Sequence, residues 1–572
     1  MNMRKRIFSC NVARMCLRWT VALSVLLFSP IINNVQAQPS WGKKAVKSVF
    51  TLKTFAADGS LLGSTNGFFI SEKGEAVSAY QPFKGAQKAV VIDADGKEWA
   101  VDCMLGASET YDVAKFLVTV KKAQPLVVAA AAKQGDALWL LPYRDAKRMV
   151  SARVSRVEQF GGGYDYLTLS LPAQEQGVGT PLLNDQGQVV ALLQQSVSPK
   201  DTVSYAVAAR YADSLRITGL SINDPVLRAT DIRKALPGDL SQAQLTLYVG
   251  AASLDSAAYV QLIDDFIGQF PSAPDGYQYR ANIALAANRF DDARRDMEQA
   301  ISVAEQKDDA HYNYSRLILQ KELYKQALPY EPWSLTLALK EAEEAYRINP
   351  LPIYRYQQAQ VHFAEKNYEQ SSDIFAELAQ SSLRSAELFY EASRCRALLA
   401  DSIGQLALLD SAMAQFSRPY LKEAAPYLLA RAQARMSMEK YRDAVQDLND
   451  YESLMRSQVN ANFYYLRHQA DLGGRLFQQA LNDINRAIEM QPSEPLYLAE
   501  KAALEVRVGL YAEAGETAAQ LIQLAPNQSD GYLFLGLSQC LQGKKQQGLE
   551  QLQKALDMGD PQAQEMIDKY GK

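Results

Sequence analysis

The residues best suited to catalysis or metal binding are scarce in this sequence and poorly spaced for either task. All three histidines lie in the second half of the chain: His311, His362 and His468. A histidine cluster that moves protons or binds a metal is therefore excluded from the first 310 residues. Outside the first 37 residues, three cysteines match neither a zinc-ligand spacing nor a redox pair: Cys103, Cys395 and Cys540.

The other patterns that could bind a cofactor or a nucleic acid are equally weak. Residues 161–163 (Gly-Gly-Gly) have the composition of a phosphate-binding loop, but no Lys-Ser or Lys-Thr pair follows them. The chain has 60 Lys and Arg against 64 Asp and Glu, a formal charge of −4. The chain thus has no excess of basic residues, which nucleic-acid-binding proteins typically have. We therefore predict no metal, no cofactor and no nucleic-acid partner.

Length and composition indicate a globular protein with several domains. At roughly 150 residues per domain, 572 residues correspond to about four domain-sized units. Apolar residues make up 48% and charged residues 22%, which is ordinary for folded proteins and excludes extended disorder.

The N-terminus has the three parts of a secretory signal peptide. Basic residues (Arg4, Lys5, Arg6) precede an apolar run over residues 19–28, and Val35-Gln36-Ala37 offers a small residue for cleavage. The apolar run is too short to span a bilayer, so a membrane anchor is the weaker interpretation. We predict a signal peptide over residues 1–37, no transmembrane segment, and a mature protein in a bacterial periplasm or associated with an outer membrane. The few cysteines agree with such a compartment.

The remaining chain changes pattern along its length. Residues 41–215 contain short β-type runs separated by turn signals such as Asp58-Gly59 and Asp95-Gly96, which favours a β-barrel or sandwich. Residues 216–250 are predicted as a linker because Asp224-Pro225 and Pro237-Gly238 punctuate them. From residue 251 onward the spacing of apolar residues is helical.

The helical part repeats with a period of about 34 residues. An aromatic residue recurs with a small residue three positions later, as in Phe477 with Ala480 and Tyr511 with Ala514. Pro492 and Pro526, also 34 residues apart, follow the predicted helix ends. This pattern resembles tetratricopeptide repeats, in which paired helices cross at small residues. The resemblance implies an all-α solenoid of about eight repeats over residues 251–572.

Residues 41–215 resemble the Deg/HtrA-like branch of trypsin-like serine proteases. The resemblance lies in the order of four segments: Gly67-Phe-Phe-Ile with the residues to 86, Val91-Ile-Asp, Tyr111-Asp112-Val-Ala, and Gly177-Val178-Gly179-Thr180-Pro181. It implies an all-β trypsin-like double β-barrel.

Two of the three catalytic positions implied by this resemblance carry the wrong residues. The position of the catalytic histidine falls on Gln81 and that of the nucleophile on Val178, while Asp112 matches the orienting aspartate. The oxyanion-hole glycine falls on Gln176. The resemblance thus implies a degenerate triad and no catalytic residue. The alternative is an active serine-type endopeptidase with non-standard residues: Thr180 as nucleophile, with Tyr80 or Lys84 as base.

The first helices of the repeats offer candidate peptide-binding residues. Amide side chains recur just after the small residue of these helices and can pair with a peptide backbone: Asn282, Gln360, Gln433 and Gln469. Nearby aromatic residues can receive apolar side chains: Tyr356, Phe389 and Tyr465. The alternative interpretation is that these aromatic residues only pack between repeats.

These patterns predict an exported scaffold or adaptor with an inactive trypsin-like domain and a helical array that binds protein or peptide partners. A third hypothesis is that the barrel merely caps the array. The sequence identifies neither the partner nor the oligomeric state.

Overall fold

The computed structural model describes residues 39–160, 163–173 and 177–571. They form two compact units that divide between Pro271 and Ser272. The predicted signal peptide, residues 1–37, lies outside the described residues. In the described part of the chain, none of the helices is long and apolar enough to cross a membrane.

The first unit contains two closed antiparallel barrels, which confirms the predicted double β-barrel. The first has the strand order β1-β2-β3-β6-β5-β4 and the second β10-β11-β12-β9-β8-β7. The strands are β1 (Val49–Phe55), β2 (Leu61–Phe69), β3 (Glu75–Ser78), β4 (Lys88–Ile92), β5 (Glu98–Ser108), β6 (Val113–Val118), β7 (Ala137–Leu140), β8 (Val150–Phe160), β9 (Tyr164–Leu169), β10 (Pro181–Leu183), β11 (Val189–Leu193) and β12 (Ser204–Ala208).

Alternating side chains build the core of the first barrel. Along β1, Phe50 and Leu52 are fully buried, whereas Thr51 and Lys53 stay partly exposed. The ring of Phe50 meets that of Phe69 edge-on, with centroids 4.9 Å apart.

A second apolar cluster joins the two barrels. It contains Val49 and Phe68 from the first barrel and Leu183, Val189 and Val207 from the second. All five residues of β11 are buried, because this strand is covered on both faces. The loop positions beside this cluster are therefore held by a rigid scaffold.

The stretch predicted as a linker packs against the first barrel. The pairing of β5 with β4 ends at Ala100, although β5 continues to Ser108. The backbone N–H and C=O groups on that edge of β5 beyond Ala100 therefore need other hydrogen-bond partners. The amide of Met104 donates to the carbonyl of Arg233 at 2.7 Å, and the amide of Ala235 donates to the carbonyl of Met104 at 2.9 Å. The Arg233 guanidinium also pairs with Asp102 and Asp265. The helices of this unit are α1 (Gly42–Ala45), α2 (Pro225–Arg228), α3 (Leu240–Ser253) and α4 (Ser256–Gln269).

The second unit, which is described without a gap from 272 to 571, contains eight helix pairs and a final helix, α21. This array confirms the predicted all-α solenoid. The helices are α5 (Pro274–Ala286), α6 (Phe290–Val303), α7 (Asp308–Tyr324), α8 (Leu335–Ile348), α9 (Pro352–Ala364), α10 (Tyr368–Leu378), α11 (Ala386–Leu398), α12 (Ser402–Met413), α13 (Ala425–Ser437), α14 (Tyr441–Met455), α15 (Ala461–Gly473), α16 (Phe477–Met490), α17 (Pro495–Arg507), α18 (Tyr511–Leu524), α19 (Ser529–Leu541), α20 (Lys545–Asp557) and α21 (Pro561–Tyr570).

The repeated residues occupy equivalent places in these pairs. Phe477 and Tyr511 begin the second helices α16 and α18. Ala480 and Ala514, three residues later, are fully buried. Small side chains at these positions allow the paired helices to approach closely.

Candidate functional site

The structure brings Asp112 and Gln81 together in the first barrel. Asp112 lies between β5 and β6 with a φ of 47°. Its carboxylate oxygen Oδ1 accepts hydrogen bonds from the backbone amides of Tyr80 at 2.9 Å and Gln81 at 2.8 Å. Burial raises the pKa of Asp112, and these two hydrogen bonds partly oppose the rise. This carboxylate therefore fixes the backbone at Gln81, the residue that the sequence resemblance assigns to the catalytic base.

Gln81 cannot provide that base. It begins a short 3₁₀ turn (Gln81–Phe83), and its side chain is exposed. A neutral amide does not accept a proton at neutral pH, so it cannot activate a hydroxyl group.

The loop before β10 carries Val178, the residue that the sequence resemblance assigns to the nucleophile position. The Val178 carbonyl accepts hydrogen bonds from the Thr65 hydroxyl at 2.8 Å and from the backbone amide of Asn66 at 3.0 Å. Gly179 has a φ of 79°, and a Cβ atom there would lie 2.0 Å from the Asn66 carbonyl oxygen. The loop is thus fixed against β2, and the side chain that it presents at residue 178 has no nucleophilic atom.

The three residues of the alternative catalytic hypothesis each contact another protein group. Thr180 is 1% exposed, and its hydroxyl accepts a hydrogen bond from the Asn66 side-chain amide at 3.1 Å. The Tyr80 hydroxyl donates to the Val226 carbonyl at 2.7 Å, and burial raises its pKa. Lys84 forms an ion pair with Glu109. Gln176, the oxyanion-hole position, lies outside the described residues.

In the helical array, a cavity of about 370 Å³ collects side chains from the first helices of three successive pairs. Two predicted binding residues line it, Asn282 from α5 and Gln360 from α9. Helix α7 supplies most of the remaining lining: Asn313, Arg316, Leu317, Leu319, Gln320, Leu323 and Tyr324. We call this cavity the amide groove.

The amide groove combines polar groups with an exposed aromatic wall. Tyr324 is 80% exposed at its edge. The Asn313 side-chain amide donates to the Gln278 side-chain oxygen at 3.2 Å. Arg316 is the one charged residue in the described lining, and its guanidinium lies 5.5 Å from the centre of the Tyr312 ring. The groove can thus donate and accept hydrogen bonds while shielding an apolar side chain.

Sequence reasoning missed the contribution of α7. Asn313, Arg316, Gln320 and Tyr324 are spaced by three, four and four residues and therefore share one face of a helix. That spacing is visible in the sequence. An insertion around residues 329–332 separates α7 from α8 and interrupts the period through which the other candidates were found.

The other candidate residues lie outside the amide groove. Gln433 and Gln469 are exposed on α13 and α15. The half-buried Tyr356 packs edge-on against Phe375, with ring centroids 5.5 Å apart. The Tyr465 hydroxyl donates to Glu500 at 3.3 Å. Phe389 is 7% exposed inside an apolar cluster, so its ring offers little surface to a partner.

Residues 65–192 match the family model of the trypsin-like peptidase domain. Among solved structures, the active form of the Rv3671c protease from M. tuberculosis is 19% identical with a TM-score of 0.27. The alignment covers 34% of this chain and 85% of that chain. Its inactive form is 18% identical with a TM-score of 0.26, covering 31% of this chain and 91% of that chain.

The chain is also similar to a repeat protein. It is 25% identical over 123 residues to small glutamine-rich tetratricopeptide repeat-containing protein 2 of Saccharomyces cerevisiae. The match covers 22% of this chain, and the chain spans 36% of that relative. The family-model match shows a trypsin-like peptidase domain over residues 65–192. The eight helix pairs and the similarity to this relative show an array of tetratricopeptide type.

Proposed function

We propose that this chain is an exported interaction scaffold whose trypsin-like domain has lost catalysis and whose helical array binds an extended segment of a partner protein. The cell compartment in this proposal is a bacterial periplasm or the vicinity of an outer membrane. This choice of compartment rests on the signal-peptide pattern of residues 1–37.

The observation that carries the binding role is the amide groove. Asn282, Gln320 and Gln360 come from three different helix pairs, yet all line one cavity. Side-chain amides both donate and accept, so they match the exposed N–H and C=O groups of an extended peptide whatever its sequence. Leu323 and Tyr324 add an apolar wall for one side chain of that peptide. Gln433 and Gln469 extend the same chemistry to the first helices α13 and α15.

The proposed loss of catalysis rests on the residue types at the triad positions and on the burial of Thr180. The Thr180 side chain is 1% exposed and its hydroxyl accepts a hydrogen bond from Asn66, so the structure does not present this hydroxyl at the surface.

Groove variants test the binding role. We expect the double variant Asn282→Arg/Gln360→Arg to reduce the amount of co-purified partner at least about tenfold, since two bulky cations would fill the cavity and remove two hydrogen-bonding groups. The matched control is Gln299→Arg, an exposed position on the second helix α6 outside the cavity lining. The measurement is quantitative mass spectrometry of proteins co-purified with the full chain from its native cells.

A photo-crosslinking residue locates the contact itself. Placed at Gln320, it is expected to crosslink to the same partner, whereas at Gln299 it is not. Equal crosslinking at both positions, or equal loss of partner in the groove variant and the Gln299→Arg control, contradicts binding in the amide groove.

A further inference from the structure

An arginine–aspartate pair recurs inside the helical array with a fixed spacing of 16 residues. The first helix supplies the arginine and the second helix the aspartate. Arg280 binds Asp296 with two hydrogen bonds of 2.9 and 2.8 Å, and Arg467 binds Asp483 with two of 2.6 and 2.8 Å. The third pair is Arg431 with Asp447. In each case the aspartate is buried and its charge is balanced.

The residue four positions after the arginine differs between neighbouring repeats. In α13 it is Arg435, which adds a second guanidinium to Asp447 at 2.7 Å. In α15 the equivalent residue is Asp471. A second cation is thus replaced by a second carboxyl group, which faces Asp483.

Asp471 is held in a place where its negative charge has little compensation. It is 1% exposed, and within the described residues its Oδ1 atom has no hydrogen-bond partner. Each oxygen of Asp483 already accepts one hydrogen bond from Arg467 and keeps one lone pair free of it. Arg467 also donates to Asn449 at 2.9 Å and to Glu452 at 2.6 Å. Few of its N–H donors therefore remain for a second carboxylate.

The charged and titratable groups around this pair come from four helices. They are Glu452 from α14, Tyr464, Arg467 and His468 from α15, Asp483 and Arg486 from α16, and Glu500 from α17. The Glu500 Oε2 atom lies 3.9 Å from the His468 Nε2 atom. Burial and the neighbouring Asp483 raise the pKa of Asp471 to about 7, with Arg467 and His468 opposing the rise.

We propose that the buried Asp471 carries a proton that faces Asp483, and that this carboxyl group forms a pH-sensitive element that holds α15 and α16 together in acid and loosens them as the pH approaches neutrality. The proton sits between the two carboxyl groups, where it replaces the cation that Arg435 supplies in the preceding repeat. Helix α15 also carries Tyr465 and Gln469, so the element lies beneath residues of the exposed face.

The direction of the pH effect follows from proton linkage. In the locally unfolded repeat, Asp471 titrates near the ordinary aspartate pKa of about 3.9. Between that value and about 7 the folded repeat holds a proton that the unfolded repeat has released. Opening therefore becomes easier as the pH rises through this window, by up to about tenfold per pH unit, and changes no further above it.

Hydrogen exchange of the full chain tests this element. The observable is the ratio of exchange rates between the unmodified chain and Asp471→Asn for peptides covering residues 461–490. Intrinsic exchange cancels when the rate of the unmodified chain is divided by that of Asp471→Asn. We expect this ratio to rise at least about tenfold from pH 5.0 to 7.0 and to stay constant from pH 7.5 to 8.5. The control Asp443→Asn, an exposed residue of α14, is expected to give a ratio that does not change with pH.

The unmodified chain provides a second readout that needs no variant. After correction for intrinsic exchange, protection of residues 461–490 should fall from pH 5.0 to 7.0 relative to that of residues 352–378, which form an equivalent pair without such a carboxyl pair. A pH-independent ratio for Asp471→Asn, or equal pH profiles for the two segments, overturns the proposal.

Discussion

Replacing Asp447 with alanine is expected to lower the free energy of unfolding of the helical array by about 3 kcal/mol. Asp447 is 1% exposed and accepts hydrogen bonds from Arg431 at 3.0 and 2.6 Å and from Arg435 at 2.7 Å. Its removal leaves two mostly buried guanidinium groups without their main partner, and breaking a buried pair in this way costs about 3–5 kcal/mol. We take the lower end because Asp410, which is half exposed, remains beside both arginines.

The measurement is urea unfolding of the full chain followed by circular dichroism at 222 nm. Asp450→Ala is the matched control, since Asp450 lies three residues further along α14 and pairs with the exposed Arg418. Surface pairs contribute about 0–1 kcal/mol. If the two variants shift the urea midpoint equally, Asp447 is not the buried counter-charge described above.

Gly179→Ala is expected to destabilise the barrel unit by about 3 kcal/mol. Its φ of 79° disfavours any residue with a Cβ atom, at about 1–2 kcal/mol. The added atom would meet the Asn66 carbonyl oxygen at 2.0 Å, so β2 or the loop must shift, at about 1–3 kcal/mol more. The effect is therefore large although only one methyl group is added.

Tryptophan fluorescence during urea unfolding measures this change, since Trp99 and Trp139 lie in the two barrels. Val178→Ser is the control, because the half-buried Val178 is anchored by its carbonyl group, which the substitution leaves in place. We expect a shift within about 0.5 kcal/mol for that variant. An unchanged midpoint in Gly179→Ala would show that the loop is not fixed against Asn66.

The fold was largely predictable because its signals are periodic. Turn signals such as Asp58-Gly59 and Asp95-Gly96 separate strands of the first barrel, and both glycines have positive φ. Phe477 and Tyr511 begin equivalent helices, as the period of 34 residues predicts. The packing of residues 233–235 along β5 was not predictable, since it depends on backbone groups of Met104 that only the closed barrel leaves unpaired.

The candidate site was predictable in part. Residue types at positions 81, 112 and 178 follow from the ordered motifs, but the hydrogen bond to the Thr180 hydroxyl comes from Asn66, a residue far away in sequence. In the array, periodic spacing found Asn282 and Gln360, and it could not show that Phe389 is buried by its neighbours. Whether such a side chain is buried or available to a partner is decided by contacts between segments that are distant in sequence. No local pattern in a single sequence reports those contacts.

The proposed loss of catalysis is tested most directly by intact-mass analysis of the purified full chain after incubation with a fluorophosphonate, which phosphonylates an activated serine or threonine hydroxyl with loss of fluoride. We expect no increase in mass, under conditions in which an active serine protease is fully modified, because Gln81 cannot accept a proton and Val178 offers no hydroxyl. A covalent adduct within residues 41–215, above all one abolished by Thr180→Ala, would contradict it.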